Sequence, residues 1–150
     1  MQISIRSGAA MLAIAVVAFA GGALAHGDAG KSITRLTVAD LKWNAVPNTP
    51  LMEAPAWSNA SGAYCRFNKF PKGTKIPLHH HTADVSAVVI AGQFGSTEVG
   101  ATTKLLGPGT YQQIPGGLPH TTECGTGADC VIFACGPAAF DLVEESPTKK

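Results

Sequence analysis

The chain has 150 residues, of which 45% are hydrophobic and 14% charged, and its formal net charge is +1. This length predicts one domain, and the apolar fraction excludes an intrinsically disordered chain. Because 11 lysines and arginines nearly balance 10 aspartates and glutamates, the composition excludes a strongly basic protein and gives no indication of a nucleic-acid partner. The 17 glycines and 10 prolines favour short strands joined by tight turns.

Residues 1–25 have the pattern of a secretory signal peptide. Arg6 precedes the uncharged run 9–20, and the segment ends in Ala23-Leu24-Ala25, whose small side chains suit a signal peptidase. The run is short and rich in alanine, which disfavours a membrane anchor, since a span needs about 20 strongly apolar residues. We therefore expect a periplasmic or secreted protein with no membrane partner once the signal has been removed.

The remaining sequence divides into three parts. Residues 26–61 are rich in proline, alanine and small polar residues and predict an extended arm, which Trp43 and Trp57 would anchor. Residues 62–143 predict an all-β domain, and residues 144–150 predict a flexible tail. Seven runs rich in β-branched and aromatic residues are the predicted strands: 64–70, 85–91, 97–106, 110–114, 120–123, 130–134 and 140–143. This number of strands favours a sandwich or a barrel.

Export would make disulfide formation the expected state of the four cysteines. Cys124 and Cys130 flank a glycine-containing loop of five residues, which predicts a hairpin with these two cysteines close together. Cys65 and Cys135 would then remain. Four cysteines allow three connectivities, and the sequence does not choose among them. A structural zinc site is disfavoured, because the sequence contains no Cys-x-x-Cys pair.

Four of the five histidines lie in two short segments, 79–81 and 120. On a strand, His79 and His81 point to one face while His80 points to the other. Two imidazoles on one face can chelate a metal, and His120, after a turn rich in glycine and proline, is the available third ligand. Three protein ligands leave open coordination positions, which is the arrangement of a catalytic metal site.

These histidines lie within a pattern that resembles the two motifs of the cupins. The first motif is a glycine, five residues, His-x-His, three or four residues, a glutamate, six residues and a glycine. The second is a glycine, five residues, Pro-x-Gly, two residues, a histidine, three residues and an asparagine. The matching positions are Gly73, His79, His81 and Gly92 in the first, and Gly109, Pro115, Gly117 and His120 in the second. The resemblance implies a β jelly-roll barrel with a metal bound inside by the histidines.

Two positions depart from the cupin motifs. Val85 stands where the first motif has its glutamate ligand, and Cys124 replaces the asparagine of the second. Val85 should share the inward face of His79 and His81, whereas Asp84 should point outward unless a bulge shifts the register. The site is then a set of three neutral ligands, similar to that of thiol and diketone dioxygenases. The metal would be a divalent transition metal, with iron, manganese, nickel and zinc all open.

Two functions remain open at this point. One is an exported, metal-dependent, dioxygenase-like enzyme that acts on a small molecule; the other is a non-catalytic cupin that binds a metal or a small ligand, for sensing or delivery. No catalytic residue other than the metal ligands is identified, because Glu123 has the opposite parity to His120. An extracellular structural or interaction protein is a third class. The resemblance also implies that a homodimer is possible.

Overall fold

The computed structural model describes residues 33–47 and 49–145. Contacts divide the chain into two units, Met1–Thr34 and Arg35–Lys150, and the fold below is that of the second. The predicted signal peptide, 1–25, lies outside the described residues, as does most of the predicted tail. None of the helices in the described part is long and apolar enough to cross a membrane.

The second unit consists of two antiparallel sheets. The larger sheet has the strand order β1-β2-β3-β9-β5-β7, and the smaller has the order β10-β4-β8-β6. A single turn of 3-10 helix, Val38–Asp40, precedes the strands. The strands are β1 Asn44–Ala45, β2 Met52–Ser58, β3 Tyr64–Phe70, β4 Lys75–His80, β5 Val85–Ala91, β6 Phe94–Glu98, β7 Tyr111–Ile114, β8 His120–Cys124, β9 Cys130–Gly136 and β10 Val143–Glu144. The predicted all-β jelly-roll class is confirmed.

The core lies between the two sheets. Three alternate residues of β5 are buried, namely Val85, Ala87 and Val89, because alternate side chains of a strand point to the same face. From the larger sheet Phe70 packs against Phe94 of the smaller sheet, with ring centroids 4.8 Å apart. All five belong to one hydrophobic cluster, which therefore joins both layers.

The segment predicted to be an arm contains a full strand of the larger sheet. β2 pairs with β3 from Met52 to Ser58, and Ala54 is completely buried. Pro55 disfavours a strand in the sequence analysis, because proline cannot donate a hydrogen bond to a neighbouring strand. It is tolerated since β1 reaches β2 only at 52–53, so Pro55 lies on a free edge. Residues 52–58 of the predicted arm thus form a strand of the larger sheet, and Trp57 in this strand is 47% exposed, so its ring is not buried in the core as an anchor would be.

Two other strand predictions are wrong. β6 ends at Glu98, the chain turns at 98–101, and only Leu106 returns to bridge Phe94. The apolar residues that suggested a strand over 97–106 include Val99 and Leu106. Both side chains are exposed, so they do not form the buried face of a strand. The strand predicted at 140–143 is reduced to Val143–Glu144.

All four cysteines are paired, as Cys65–Cys135 and Cys124–Cys130. The first disulfide joins directly paired residues of β3 and β9. The second does not close a hairpin, as the sequence had suggested, because β8 belongs to the smaller sheet and β9 to the larger. The glycine-containing loop instead passes from one sheet to the other, and the disulfide links the two layers.

Candidate metal centre

A β-bulge in β4 orients the histidines of the first motif. Ile76 pairs with Thr122 and His79 with His120, so β4 has one more residue than β8 between these pairs. The extra residue lies at Pro77-Leu78, where proline has no N–H to give to the ladder. Without the bulge, Ile76 and His79 would face opposite sides. With it, both side chains point into the barrel together with those of β8.

His79, His81 and His120 come together inside the barrel. Their exposed fractions are 3%, 6% and 1%. The ring centroids of His79 and His120 are 4.3 Å apart, and His81 lies 5.1 Å and 5.2 Å from these two. One ring nitrogen from each histidine lies within 4.8 Å of the others. Among the described residues, this cluster of potential ligand atoms contains three histidines and no carboxylate.

Backbone carbonyls fix the tautomer of each imidazole. The Nδ1 atoms of His79, His81 and His120 lie 2.7, 2.6 and 2.8 Å from the carbonyl oxygens of Pro77, Asp141 and Leu118. A carbonyl oxygen only accepts, so each Nδ1 carries the proton and donates it. Each Nε2 is then left with a free lone pair, and that of His120 is buried with no hydrogen-bond partner among the described residues.

An unpartnered, buried, deprotonated nitrogen is costly unless another group binds it. A transition metal is such a group, and histidine ligands to metals commonly donate their other ring N–H to a backbone carbonyl. Burial also lowers the pKa of all three imidazoles, that of His79 to about 4, and the neighbouring histidines contribute in the same direction. The cluster is therefore neutral near pH 7 and can hold a divalent cation.

The remaining candidates of the first motif lie elsewhere. The Nδ1 of His80 is 2.7 Å from a carboxylate oxygen of Glu145, away from the cluster. Val85 is buried, and Asp84 is exposed and accepts a hydrogen bond from the Gly116 N–H, so the predicted orientations of both are confirmed. Glu123 forms an ion pair with Lys75 on the outer face. Within residues 33–47 and 49–145, no carboxylate thus takes the place of the motif glutamate.

One side of the cluster opens into a polar cavity of about 70 Å³, which we call the open side. It is lined by Ser96, Glu98, Gln112, Gln113, Ile114, Leu118 and His120. Glu98 pairs directly with His120 across β6 and β8, so both side chains leave the sheet on the same face, with His120 buried and Glu98 at the exposed rim of the cavity. Sequence reasoning missed Glu98, because the predicted strand 97–106 gave no register between β6 and β8.

The other side, which we call the closed side, has no space for a water molecule. Phe140 covers it, with its ring 4.8 Å from that of His81 and 3.9 Å from the guanidinium carbon of Arg66. Arg66 forms an ion pair of 2.6 Å with Glu53. The Tyr64 hydroxyl and the Arg66 Nε are buried there without a hydrogen-bond partner among the described residues.

Comparison with known proteins identifies the family. A family model of the cupin domain matches residues 67–135, which include the three clustered histidines. A search of the curated proteins found no match. The structure is similar to that of the polyketide cyclase RemF from Streptomyces resistomycificus, with a TM-score of 0.66 and 18% identity over 79% of this chain and 89% of that chain.

Two further solved structures are similar. An RmlC-like cupin from Ralstonia eutropha JMP134 has a TM-score of 0.62 and 19% identity over 79% of this chain and 76% of that one. The DMSP lyase DddQ from Ruegeria pomeroyi DSS-3 has a TM-score of 0.59 and 17% identity over 75% of this chain and 64% of that one. At these identities the likeness shows the fold alone. The family match over residues 67–135 and the two-sheet fold around the histidines together support membership of this chain in the cupin superfamily.

Proposed function

We propose that this chain is an exported cupin enzyme that binds a divalent transition metal through His79, His81 and His120 and acts on a small molecule. The observation that carries the proposal is the convergence of three neutral imidazoles, each with its Nδ1 proton held by a backbone carbonyl and its Nε2 left free. The buried Nε2 of His120 has no other partner among the described residues.

The ligand set defines the chemistry. Three neutral ligands would leave the full positive charge on iron, manganese, nickel or zinc, which would act as a Lewis acid with open coordination positions. The protein shapes the approach to these positions, because Ile114 and Leu118 form an apolar wall and Glu98 a polar one. A dioxygenase-like oxidoreductase is the enzyme class that matches a three-histidine set. That RemF is named a cyclase and DddQ a lyase supports an enzymatic role.

Two observations support export. The first is the signal-like pattern of residues 1–25. The second is the pairing of all four cysteines, because disulfides persist mainly in the periplasm and outside the cell. We therefore propose that the mature chain is periplasmic or secreted. Fractionation of the source cells, with mass spectrometry of the mature N-terminus, tests this placement, and an uncleaved cytoplasmic chain would refute it.

A non-catalytic metal or ligand carrier is the second candidate, and Val85 favours it. This residue removes the carboxylate that the first motif usually supplies and leaves the wall of β5 apolar. Incubation of the metal-loaded protein with small diketones separates the two functions. An enzyme consumes oxygen or converts the compound, whereas a carrier returns the compound unchanged in mass spectrometry.

Elemental analysis of the mature protein, purified without a histidine tag, tests the metal site. We expect one transition metal per chain in the wild type. His120→Ala should lose it, with an affinity loss above about 100-fold, because even changes in residues that only support a ligand cost 10 to 100-fold. His80→Ala is the matched control and should keep the metal, since His80 lies outside the cluster. Equal metal content in His120→Ala and the wild type would refute the assignment.

A further inference from the structure

Glu98 lies on the open side and is not among the proposed metal ligands. It stands directly opposite His120 in the β6–β8 ladder, where the Cβ atoms of facing residues are about 5 Å apart. Both side chains line the cavity of about 70 Å³. The group of mutually close ligand atoms does not include the Glu98 carboxylate. The carboxylate is thus next to the metal site without being part of it.

Two other polar residues that line this cavity, Ser96 and Gln112, are hydrogen-bonded to each other, whereas the exposed Gln113 side chain has no such bond among the described residues. The Gln112 Nε2 donates to the Ser96 hydroxyl, and the Ser96 N–H donates to the Gln112 Oε1, both at 3.3 Å. The same hydroxyl lies 3.1 Å from that of Thr122. By contrast, Glu98 forms no ion pair and no side-chain hydrogen bond within the part of the chain that the structure describes. The strongest free acceptor in the wall is therefore the Glu98 carboxylate.

We infer that the open side binds a small molecule that presents a hydroxyl or amino hydrogen-bond donor to Glu98 and carries no negative charge. This inference rests on the proposed function, because the other end of the ligand would lie at the histidine cluster. The cavity admits only a few heavy atoms or one end of a longer molecule. A carboxylate on the ligand would be repelled by the Glu98 carboxylate, which has the same charge. Arg66 would not compensate for this repulsion, because it lies on the closed side and is already paired with Glu53.

Three small hydroxamates test this inference, because each has the same metal-binding group and differs in its far end. We would load the mature protein with Co²⁺ and titrate it with acetohydroxamate, glycolohydroxamate and malonic acid monohydroxamate, whose far ends are a methyl, a hydroxyl and a carboxylate. Binding is measured from the visible spectrum of the cobalt and by calorimetry. We expect glycolohydroxamate to bind about tenfold more tightly than the malonate analogue, which corresponds to about 1.4 kcal/mol.

The variant Glu98→Gln should reduce the ratio of the affinities for glycolohydroxamate and the malonate analogue to about threefold or less. The reason is that the amide removes the negative charge and keeps the size of the side chain. Glu123→Gln is the matched control: it changes a neighbouring glutamate that points to the outer face. It should leave the ratio as in the wild type. Cobalt content and circular dichroism establish that each variant is folded and loaded, and Glu98→Ala is a second variant at the same position.

Two results would overturn the inference while leaving the metal site intact. One is a wild type that binds cobalt but prefers the malonate analogue. The other is a ratio that stays the same in both Glu98 variants. A wild type that takes up no cobalt, iron, manganese, nickel or zinc would overturn the proposed metal site, and the inference would fall with it.

Discussion

The two sides of the histidine cluster differ in volume and in the accessibility of their charged groups. On the open side, Glu98, Ser96 and Gln112 surround a cavity of about 70 Å³ that reaches His120. On the closed side, Phe140 packs against His81, Arg66 stacks on the Phe140 ring, and no room is left for water. The closed side contains the Arg66–Glu53 ion pair and is lined by the carboxylates of Asp84 and Asp141, whereas the charged side chain that lines the open cavity is Glu98. The two sides thus differ in how far their charged groups are already paired and in how accessible they are.

The difference shows that a charged residue near a site acts on a ligand only if the ligand can reach it. Arg66 would attract an anion, but Glu53 pairs with its guanidinium and Phe140 covers it. Glu98 has no such partner among the described residues and borders the cavity. A ligand in the cavity can therefore contact Glu98 but not Arg66. The following tests change one side at a time, after a first test that changes the cluster shared by both.

Acidification should have the largest effect, because it protonates the histidines that both sides share. The pKa of His79 is about 4 in the folded protein, lowered chiefly by burial, against an ordinary value of 6.5. Between these pH values the unfolded chain binds more protons, so the free energy of unfolding of the metal-free protein falls as the pH falls. His79 alone would account for about 3 kcal/mol between pH 6.5 and 4.

Urea denaturation of the metal-free protein at a series of pH values measures this slope. His79→Gln should show a smaller slope than the wild type, since glutamine does not titrate. The expectation fails if the two proteins lose stability in parallel between pH 6.5 and 4.

Removal of Arg66 tests the closed side. Arg66→Ala leaves the Glu53 carboxylate unpaired and removes the contacts with the Phe140 ring, so we expect a loss of about 2 to 3 kcal/mol in the free energy of unfolding. Lys75→Ala is the matched control, because Lys75 forms an ion pair with Glu123 but is 73% exposed. It should cost less than about 0.5 kcal/mol. Similar urea midpoints for both variants would contradict the closed packing.

Gly136→Ala should disturb the same side through Tyr64. A Cβ at this position would lie 2.6 Å from the Tyr64 ring, so the ring has to move, at a cost of about 2 kcal/mol. Gly127→Ala is the control, since its Cβ would meet nothing within 4 Å. It should change the thermal midpoint little. A Gly136→Ala variant as stable as Gly127→Ala would show that Tyr64 is not held against β9.

Phe140→Ala should have the smallest effect, and it acts on selectivity. Phe140 is 40% exposed, so its loss should leave the fold intact while it uncovers the Tyr64 hydroxyl and the Arg66 Nε. We expect the malonate hydroxamate to bind about threefold more tightly to the cobalt-loaded variant than to the wild type. This gain would show that Arg66 becomes accessible to an anion once the ring is removed. Unchanged or weaker binding of this anion would show that Arg66 stays inaccessible without the ring.

The motif spacing was sufficient to predict the barrel and the clustering of the three histidines, because the motif glycines and prolines mark the turns between strands. Gly92, for example, has a φ of +77°, and a Cβ there would lie 2.7 Å from the Asp129 carbonyl oxygen. Only glycine meets both conditions at that turn. Similarly, strand alternation correctly placed Val85 inside and Asp84 outside. Features set by residues close in sequence were therefore predictable.

Features that depend on long-range pairing were not. The bulge at Pro77-Leu78 is visible only once Ile76 and His79 are matched with β8. The position of Glu98 likewise follows from its pairing with His120, which is 22 positions away in the sequence. β2 was missed because Pro55 is typical of an arm unless the strand is known to have a free edge. Local composition carries no information about which strands become neighbours.

Anomalous diffraction from crystals of the metal-loaded protein, recorded at the absorption edge of the metal, tests the central claim most directly. We expect a single peak inside the barrel, about 2.0 to 2.1 Å from the Nε2 atoms of His79, His81 and His120. A peak beside His80 and Glu145, or a loaded crystal with no peak between the three imidazoles, would contradict the account.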